Sequence, residues 1–319
     1  MRKKKRYKKL KVAVIGAGFM GELHARALST LPGVSLFGVF DINFERAKAL
    51  SKKFKTRFFE DYKALLREVD AIVLSSPTKS HFEIGMACIE ERKHLFLEKP
   101  LASSSYEGKL LVDAAKTKEG VLATGHIERF NPAYLMAQKL LRREKPLILN
   151  IKRLSPFSER ITDASVVTDM MIHDLDLALC IAGSPPDSVK AKGKKIKTKL
   201  FDHVFASVLF ENGLIANIEA NRTSPSKVRE LEIVCEKGNI IVDLLGKKVY
   251  RELLIDPMQP FDFPRKKRIP VKKSDQITAE LKDFVSAVKK RRPPKVSGEA
   301  GLLALSLAEE IERSASRKK

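Results

Sequence analysis

The most chemically suggestive stretch of the sequence is TDMMIHDLDLAL, in which Asp169 and His173 stand four positions apart among apolar residues. On a helix, residues four apart share a face, so a carboxylate and an imidazole would be neighbours able to move a proton. Alternatively, the aspartate belongs to the first helical turn, favoured by the helix dipole, and the histidine is hydrogen-bonded at a domain contact. Two ligands without a third nearby make a metal site a weak hypothesis.

A second chemical signal is GAGFMG, which contains Gly16, Gly18 and Gly21 after the apolar run KVAVIG. These glycines match GxGxxG, a phosphate-binding turn between a strand and a helix. The first permits the tight turn, the second lets the backbone approach a pyrophosphate, and the third lets helix and strand pack closely. The helix that opens with Phe19 and Met20 would offer its N–H groups to the phosphates.

Asp41 stands 20 residues after Gly21, at the end of the second apolar run. A carboxylate there can accept hydrogen bonds from both ribose hydroxyls of a dinucleotide, and it repels a 2′-phosphate. The next residues, Ile42 and Asn43, provide no arginine for such a phosphate. The sequence therefore predicts NAD rather than NADP as cofactor. The alternative is that Asp41 caps the helix that starts near residue 43.

Two further candidate segments, SSPTKSH (75–81) and EKP (98–100), stand where later apolar runs end. Ligands of open α/β sheets bind at the carboxyl ends of the strands. Lys99 would therefore hold its ammonium group over the crevice, on a turn stiffened by the following proline. The alternative for Lys99 is a solvated surface lysine, as expected for most of the 61 basic residues.

The elements that must position these residues alternate regularly through the first third of the chain. Strands are predicted at 11–16, 34–41, 70–76, 94–100 and 121–125, and helices at 19–31, 43–54, 61–68, 79–91 and 103–118. Such alternation indicates a parallel sheet with helices on both faces. We predict an α/β Rossmann domain, a doubly wound parallel sheet, over residues 1–125, with a basic tail at 1–9.

Beyond residue 125 the pattern changes to successive strands. Strands are predicted at 147–154, 187–197, 203–211, 213–221, 229–235 and 239–243, helices at 130–143, 167–182, 274–290 and 298–314, and hairpin turns at ENG (211–213) and KGN (237–239). Strands in succession indicate antiparallel pairing. We predict an α+β domain with a mostly antiparallel sheet over residues 126–319.

Composition narrows the class of protein. Of 319 residues, 44% are hydrophobic, and no apolar run reaches 18 residues, so we expect a cytoplasmic protein without a membrane partner. Cys88, Cys180 and Cys235 lack CxxC spacing and are predicted to be buried free thiols.

The net charge of +22 attracts anions of every kind. Basic clusters occur at 2–9, 190–199, 265–268 and 289–295. Because aromatic residues are not interleaved with them, we predict solvated surfaces and no specific nucleic-acid partner, with anion recruitment as the alternative.

The order of these motifs, from GxGxxG through Asp41, SSPTKSH and EKP to the Asp-x-x-x-His helix, resembles the Gfo/Idh/MocA oxidoreductases over nearly the whole chain. The resemblance implies an NAD-dependent dehydrogenase that acts on CH–OH groups, with this helix facing the nicotinamide. It further implies that Lys99 is the catalytic lysine, which contacts the substrate hydroxyl and the nicotinamide ribose. His173 then corresponds to the acid/base, and Asp169 to the carboxylate that helps hold the substrate and relay the proton.

The same resemblance assigns further cofactor contacts to the turn with Ser76, Pro77 and His81, and to Glu98 at the start of EKP. The residue types suit the reaction, because hydride release from a carbinol carbon needs a base for the hydroxyl proton and a cation for the forming alkoxide. A lysine beside a histidine also lowers the pKa of each. No metal is required for this chemistry.

The segment GHIERFNP departs from the commoner family form, since Ile127 replaces an asparagine and Glu128 the first of two arginines, while Arg129 is kept. With DMMIHDLDLAL, this form resembles the members that oxidise the 3-hydroxyl of UDP-N-acetylglucosamine in the lipid A diamino-sugar pathway. We therefore expect a sugar or nucleotide-sugar substrate whose diphosphate contacts Arg129. An interdomain salt bridge is the alternative for Arg129.

Two alternative functions remain open from the sequence. One is a family member that oxidises a free polyol or sugar, such as an inositol. The other is a noncatalytic, NAD-responsive protein that binds nucleic acid. Because an antiparallel sheet usually needs one face covered and family members often pair sheet on sheet, we also expect a homodimer or homotetramer.

Overall fold

The computed structural model describes residues 9–159, 164–253 and 266–317, which divide into two compact units. The first unit comprises residues 9–126 and Asp275–Leu302, and the second comprises the described residues of 127–274 and 303–317. The chain thus first leaves the Rossmann unit next to the predicted boundary after residue 125. A later segment, Asp275–Leu302, belongs to the first unit again. Most of the predicted basic cluster at 2–9, and Arg265 of the cluster at 265–268, lie outside the described residues.

The first unit is the predicted Rossmann domain. Its strands are β1 (Leu10–Ile15), β2 (Val34–Phe40), β3 (Arg57–Phe58), β4 (Ala71–Leu74), β5 (His94–Glu98) and β6 (Leu122–Gly125). Its helices up to this point are α1 (Phe19–Thr30), α2 (Phe44–Phe54), α3 (Tyr62–Leu66), α4 (His81–Glu90) and α5 (Ser105–Thr117). The strands form one sheet in the order β3-β2-β1-β4-β5-β6, with all neighbours parallel. Strand β3 was not predicted, because two residues are too few to show a pattern.

The second unit has the predicted mostly antiparallel sheet. Its strands are β7 (Pro146–Leu154), β8 (Pro186–Lys194), β9 (His203–Phe210), β10 (Ile215–Asn221), β11 (Val228–Cys235), β12 (Gly238–Asp243), β13 (Lys248–Leu253) and β14 (Lys266–Ile269). They follow the order β14-β13-β12-β11-β7-β10-β9-β8, and only β7 and β10 pair in parallel among the described strands. The last two strands were not predicted, because their many charged residues hide the alternation of apolar and polar positions.

One face of this second sheet is covered by helices α6 (Pro132–Leu141) and α7 (Ile172–Ala182) and by part of the C-terminal helix. Alternate residues of β9, such as Val204, Ala206 and Val208, are buried on that face. The predicted turns at 211–213 and 237–239 are hairpin turns, with positive φ angles at Gly213 and Gly238.

The segment that returns to the first unit consists of α8 (Gln276–Lys290) and the start of α9 (Gly298–Ser316). Helix α8 is amphipathic and buries Leu281 and Phe284, whose ring packs edge-on against Phe96 of β5. The Lys289 ammonium donates to the Gly33 carbonyl at 2.7 Å. Burial of this apolar face explains why α8 belongs to the Rossmann unit although it lies far away in the sequence.

Two expectations from composition can be compared with these units. Cys88, Cys180 and Cys235 are free thiols as predicted, and the first and third are buried while Cys180 is half-buried. No helix in the described part of the chain is long and apolar enough to cross a membrane.

Candidate active site

The glycine turn after β1 has the geometry that its sequence predicts. Gly16 has a φ of +98°, and a Cβ at this position would lie 2.5 Å from the Ser76 nitrogen. A Cβ on Gly21 would lie 1.8 Å from the Gly16 carbonyl oxygen, so only glycine lets α1 approach the turn. A Cβ on Gly18 would meet no atom within 4 Å. The backbone at Gly18 is therefore open to a ligand at the start of α1.

Asp41 directly follows β2 and ties the glycine turn to it. Its carboxylate accepts hydrogen bonds from the N–H groups of Ala17, at 2.6 Å, and Asn43, at 2.7 Å. The cap of α2 is Asn43, whose side chain accepts from the Arg46 N–H. The alternative interpretation of Asp41 as the helix cap is therefore wrong, and the contact of Asp41 with the cofactor ribose stays a prediction.

The turn after β4 connects the glycine turn with the turn after β5. The Ser75 hydroxyl donates to the Gly16 carbonyl at 2.9 Å. The buried His81 ring places one nitrogen 2.9 Å from the Ser76 carbonyl and the other 2.9 Å from the Pro100 carbonyl. Burial lowers the pKa of His81 more than these hydrogen bonds raise it. His81 thus acts as a bridge between two turns, and Pro77 lies within the first of them.

Lys99 is the half-buried residue that follows β5. Its backbone N–H donates to the Glu98 carboxylate at 3.2 Å, and the Lys99–Pro100 peptide bond is cis. The carboxyl ends of β1, β4 and β5 are neighbours in the sheet, so the structure brings together the three predicted turns of the first unit. This edge is where open α/β sheets bind their ligands.

In the second unit, the predicted helix 167–182 begins with a π-helical turn, Val167–Met171, that continues into α7. Single π turns are frequent at functional sites. Asp169 and His173 are both partly exposed, whereas Met171, Ile172 and Asp174 are buried. The carboxylate and the imidazole therefore share the exposed side of this helix, as their spacing predicts.

The buried side of α7 carries an ion-pair network that the sequence did not predict. Arg153 of β7 donates to the Asp174 carboxylate at 2.7 and 2.8 Å and to Glu128 at 3.3 and 3.4 Å. The Asn131 side chain donates to Glu128 at 2.9 Å. Glu128, which replaces an arginine of the commoner family form, thus has a buried partner of opposite charge, Arg153, on another element.

Arg129 also contacts α7. One of its terminal nitrogens lies 3.6 Å from the Asp176 carboxylate and donates to the Asp176 carbonyl at 3.4 Å. Burial raises the pKa of Asp176 to about 7, although the attraction of Arg129 opposes this shift. This salt bridge joins two elements of the second unit, not two domains as the alternative proposed. The role of Arg129 toward substrate stays a prediction.

Comparison with known families identifies both parts of the chain. Residues 10–126 match the oxidoreductase family with the NAD-binding Rossmann fold, and residues 147–241 match the GFO/IDH/MocA C-terminal domain. The UDP-N-acetylglucosamine 3-dehydrogenase of Acidithiobacillus ferrooxidans is 33% identical over 95% of this chain and 96% of its own length. Its solved structure covers 96% of this chain and 97% of its own, with a TM-score of 0.89.

Two further relatives differ in the substrates that their names give. The glucose-6-phosphate 3-dehydrogenase of Bacillus subtilis is 34% identical over 80% of this chain and 79% of its own length. The myo-inositol 2-dehydrogenase of Thermotoga maritima is 26% identical over 97% of both chains. The motifs, the two matched domains and the similarity over the whole length agree. The chain therefore belongs to the Gfo/Idh/MocA family of NAD-dependent oxidoreductases that act on CH–OH groups.

Proposed function

We propose that this protein oxidises a sugar hydroxyl by hydride transfer to NAD, and that its substrate is a nucleotide sugar such as UDP-N-acetylglucosamine, oxidised at the 3-hydroxyl. The observation that carries this proposal is the similarity over nearly the whole chain to a UDP-N-acetylglucosamine 3-dehydrogenase. The similarity to a glucose-6-phosphate 3-dehydrogenase supports the same position on the sugar and a substrate that bears phosphate.

The proposal assigns NAD to the carboxyl edge of the first sheet. The open backbone at Gly18 and the start of α1 would bind the pyrophosphate. Asp41 would accept hydrogen bonds from the ribose hydroxyls. The remaining cofactor contacts assigned by the proposal are Gly16, Phe19, Met20, Gly21, Ser76, Pro77, His81, Glu98 and Lys99. Bound NAD supplies the acceptor for the hydride.

The chain's own residues then handle the proton. His173 accepts the proton of the substrate hydroxyl, and Asp169, on the same exposed side of the helix, helps hold the substrate and relays that proton. The Lys99 ammonium stabilises the negative charge that develops on the hydroxyl oxygen. Arg129 and the positive charge of the protein favour a substrate with a diphosphate.

The test is a screen of NAD reduction, followed by NADH absorbance, with UDP-N-acetylglucosamine, other UDP-sugars, glucose 6-phosphate, free sugars and inositols. We expect the highest kcat/KM with UDP-N-acetylglucosamine. A preference for an inositol would favour the free-polyol alternative, to which the Thermotoga maritima relative points. A protein inactive on all of them that binds DNA with sequence selectivity at physiological salt would be the noncatalytic binder.

We also propose that the second sheet pairs with a second copy of the chain. Its helix-free face exposes apolar side chains, including Phe205 at 54% and Ile215 at 36% of their surfaces. An exposed apolar patch of this kind is typical of a protein–protein interface. Light scattering should show a dimer or tetramer at micromolar concentration, and Phe205→Lys should shift the protein toward the monomer. A monomeric wild-type protein would contradict this assembly.

A further inference from the structure

A buried cluster of three ionisable side chains lies in the first unit, apart from the groups assigned to proton transfer. It consists of His24 of α1, Glu98 at the end of β5 and Glu280 of α8, which are 0%, 8% and 2% exposed. One nitrogen or oxygen atom of each side chain lies within 4.8 Å of the other two. Three elements from distant parts of the sequence thus bring an imidazole and two carboxyl groups together.

The contacts of this cluster leave part of it unsatisfied. His24 Nε2 lies 2.7 Å from Glu98 Oε1, and Glu98 Oε2 accepts the Lys99 N–H at 3.2 Å. Among the residues that the structure describes, neither oxygen of Glu280 has a hydrogen-bond partner, and neither does His24 Nδ1. Buried charges are normally paired or bound to a metal. Two adjacent buried carboxyl groups therefore need a cation or a proton between them.

The cluster is packed against aromatic rings and a glycine. The Phe96 ring packs against the His24 ring at 5.3 Å and against Phe284 at 5.9 Å, so aromatic side chains border the cluster. Gly125 is also close, since a Cβ there would lie 3.0 Å from Glu98 Oε2. Its immediate neighbours thus leave little space around the three side chains.

The donor set indicates which ion would fit. One imidazole nitrogen and two carboxylate oxygens are typical ligands of Zn²⁺, at about 2.0–2.2 Å from the metal. Calcium and magnesium prefer oxygen ligands only, and calcium takes six or more. We propose that His24, Glu98 and Glu280 form a binding site for one divalent transition-metal ion of the zinc type, with three ligands from the protein.

Such an ion would connect three parts of the Rossmann unit. Helix α1 follows the glycine turn, Glu98 directly precedes Lys99, and α8 belongs to the segment that returns from the C-terminal part of the chain. The ion would link the returning segment to the strand end that carries Lys99. Glu98 is the one member of the cluster that the proposed function also assigns to the cofactor; His24 and Glu280 have no role in hydride transfer.

The test uses the full chain, freed of metal with a chelator and dialysed against Zn²⁺ or Co²⁺. Bound metal is measured by mass spectrometry, and the ligand field of Co²⁺ by visible absorption. Wild-type protein should retain one equivalent. Glu280→Gln and His24→Asn should bind it at least about 10-fold more weakly, because each removes a ligand. His203→Asn is the matched control, since His203 forms a partly exposed pair with Glu219 at 3.0 Å in the second unit.

Melting temperature provides the second measurement. Zn²⁺ should raise it for wild type and for His203→Asn but not for Glu280→Gln, which keeps the shape of the side chain. If His24→Asn fails to fold, Glu280→Gln decides the question. The proposal is overturned if wild type retains no equivalent, which would mean that the carboxyl groups share a proton, or if Glu280→Gln binds as wild type does. Neither outcome depends on the sugar screen, so the two proposals fail independently.

Discussion

The two units hold their candidate site residues by different means. In the first unit these residues lie on turns at strand ends, and the turns are joined by hydrogen bonds to backbone atoms, as from Ser75 to Gly16. In the second unit Asp169 and His173 lie on a helix whose buried side is held by the ion pair between Asp174 and Arg153. Removal of one partner of a buried ion pair leaves an uncompensated charge. We therefore expect the exposed side of the helix to control rate and its buried side to control folding.

The largest expected effects test whether these two sides are separable. His173→Ala should lower kcat by about 100-fold or more, because acid/base groups contribute about 10²–10⁴-fold, while the Kd for NAD changes little.

Lys99→Ala should lower kcat at least as much and should also weaken NAD binding, because it removes stabilisation of the alkoxide and a cofactor contact. Asp169→Asn should act more on KM and proton transfer than on NAD.

The control for these variants is the melting temperature of the same preparations. If His173 were a structural residue, His173→Ala would lower the melting temperature by several degrees and leave the rate per folded molecule unchanged. That result would show that His173 has a structural role. The exposed and the buried side of the helix would then both act on folding.

The buried side of the helix is tested at Arg153. Arg153→Met should lower the free energy of unfolding by about 3–5 kcal/mol, because the buried Asp174 would lose both of its hydrogen bonds to a guanidinium and Glu128 would be left with Arg229, at 3.6 Å. Denaturation in urea measures the change. Lys109→Met, which removes an exposed ion pair with Asp113, is the control and should have little effect. Equal effects of the two variants would show that the buried network contributes no more than a surface pair.

In the first unit, Asp41 is tested through cofactor binding. Asp41→Ser should weaken NAD binding by about 10–100-fold, the contribution of hydrogen bonds to a charged group, and should improve use of NADP. Asp41→Asn separates two roles, because it keeps an acceptor for the Ala17 N–H but removes the negative charge. If wild type already prefers NADP, the interpretation of Asp41 is wrong.

A pH dependence of stability is expected at Asp176. Its pKa is raised by burial to about 7 in the folded protein, against about 3.9 when unfolded. Between these values the folded state binds more protons, so this contribution to stability is fully present below about 3.9 and is lost as pH rises through about 7. Asp176→Asn should flatten this part of the stability profile, measured by urea denaturation, and exposed Asp113→Asn should not. An unchanged slope in Asp176→Asn would contradict the assignment.

Structural features that depend on short stretches of sequence were predictable. The strands and helices around GxGxxG, the position of Asp41 after β2 and the helix of Asp169 and His173 all follow from local periodicity and spacing. Where local patterns were weak, prediction failed, as for the two-residue β3 and the charged strands β13 and β14. The catalytic roles came from resemblance to a family, because residue types alone left structural alternatives open.

The sequence by itself therefore determined the fold class, the cofactor turn and the residues that share the exposed side of one helix, because backbone periodicity acts over a few residues. Only the tertiary structure decided that α8 returns to the Rossmann unit, that Arg153 pairs with Glu128 and Asp174, and that Glu280 meets His24 and Glu98. These partners are separated by tens to hundreds of residues in the chain. Charged side chains that the fold removes from water are destabilising unless they pair with a group of opposite charge. Which groups pair therefore depends on which side chains the tertiary structure buries together.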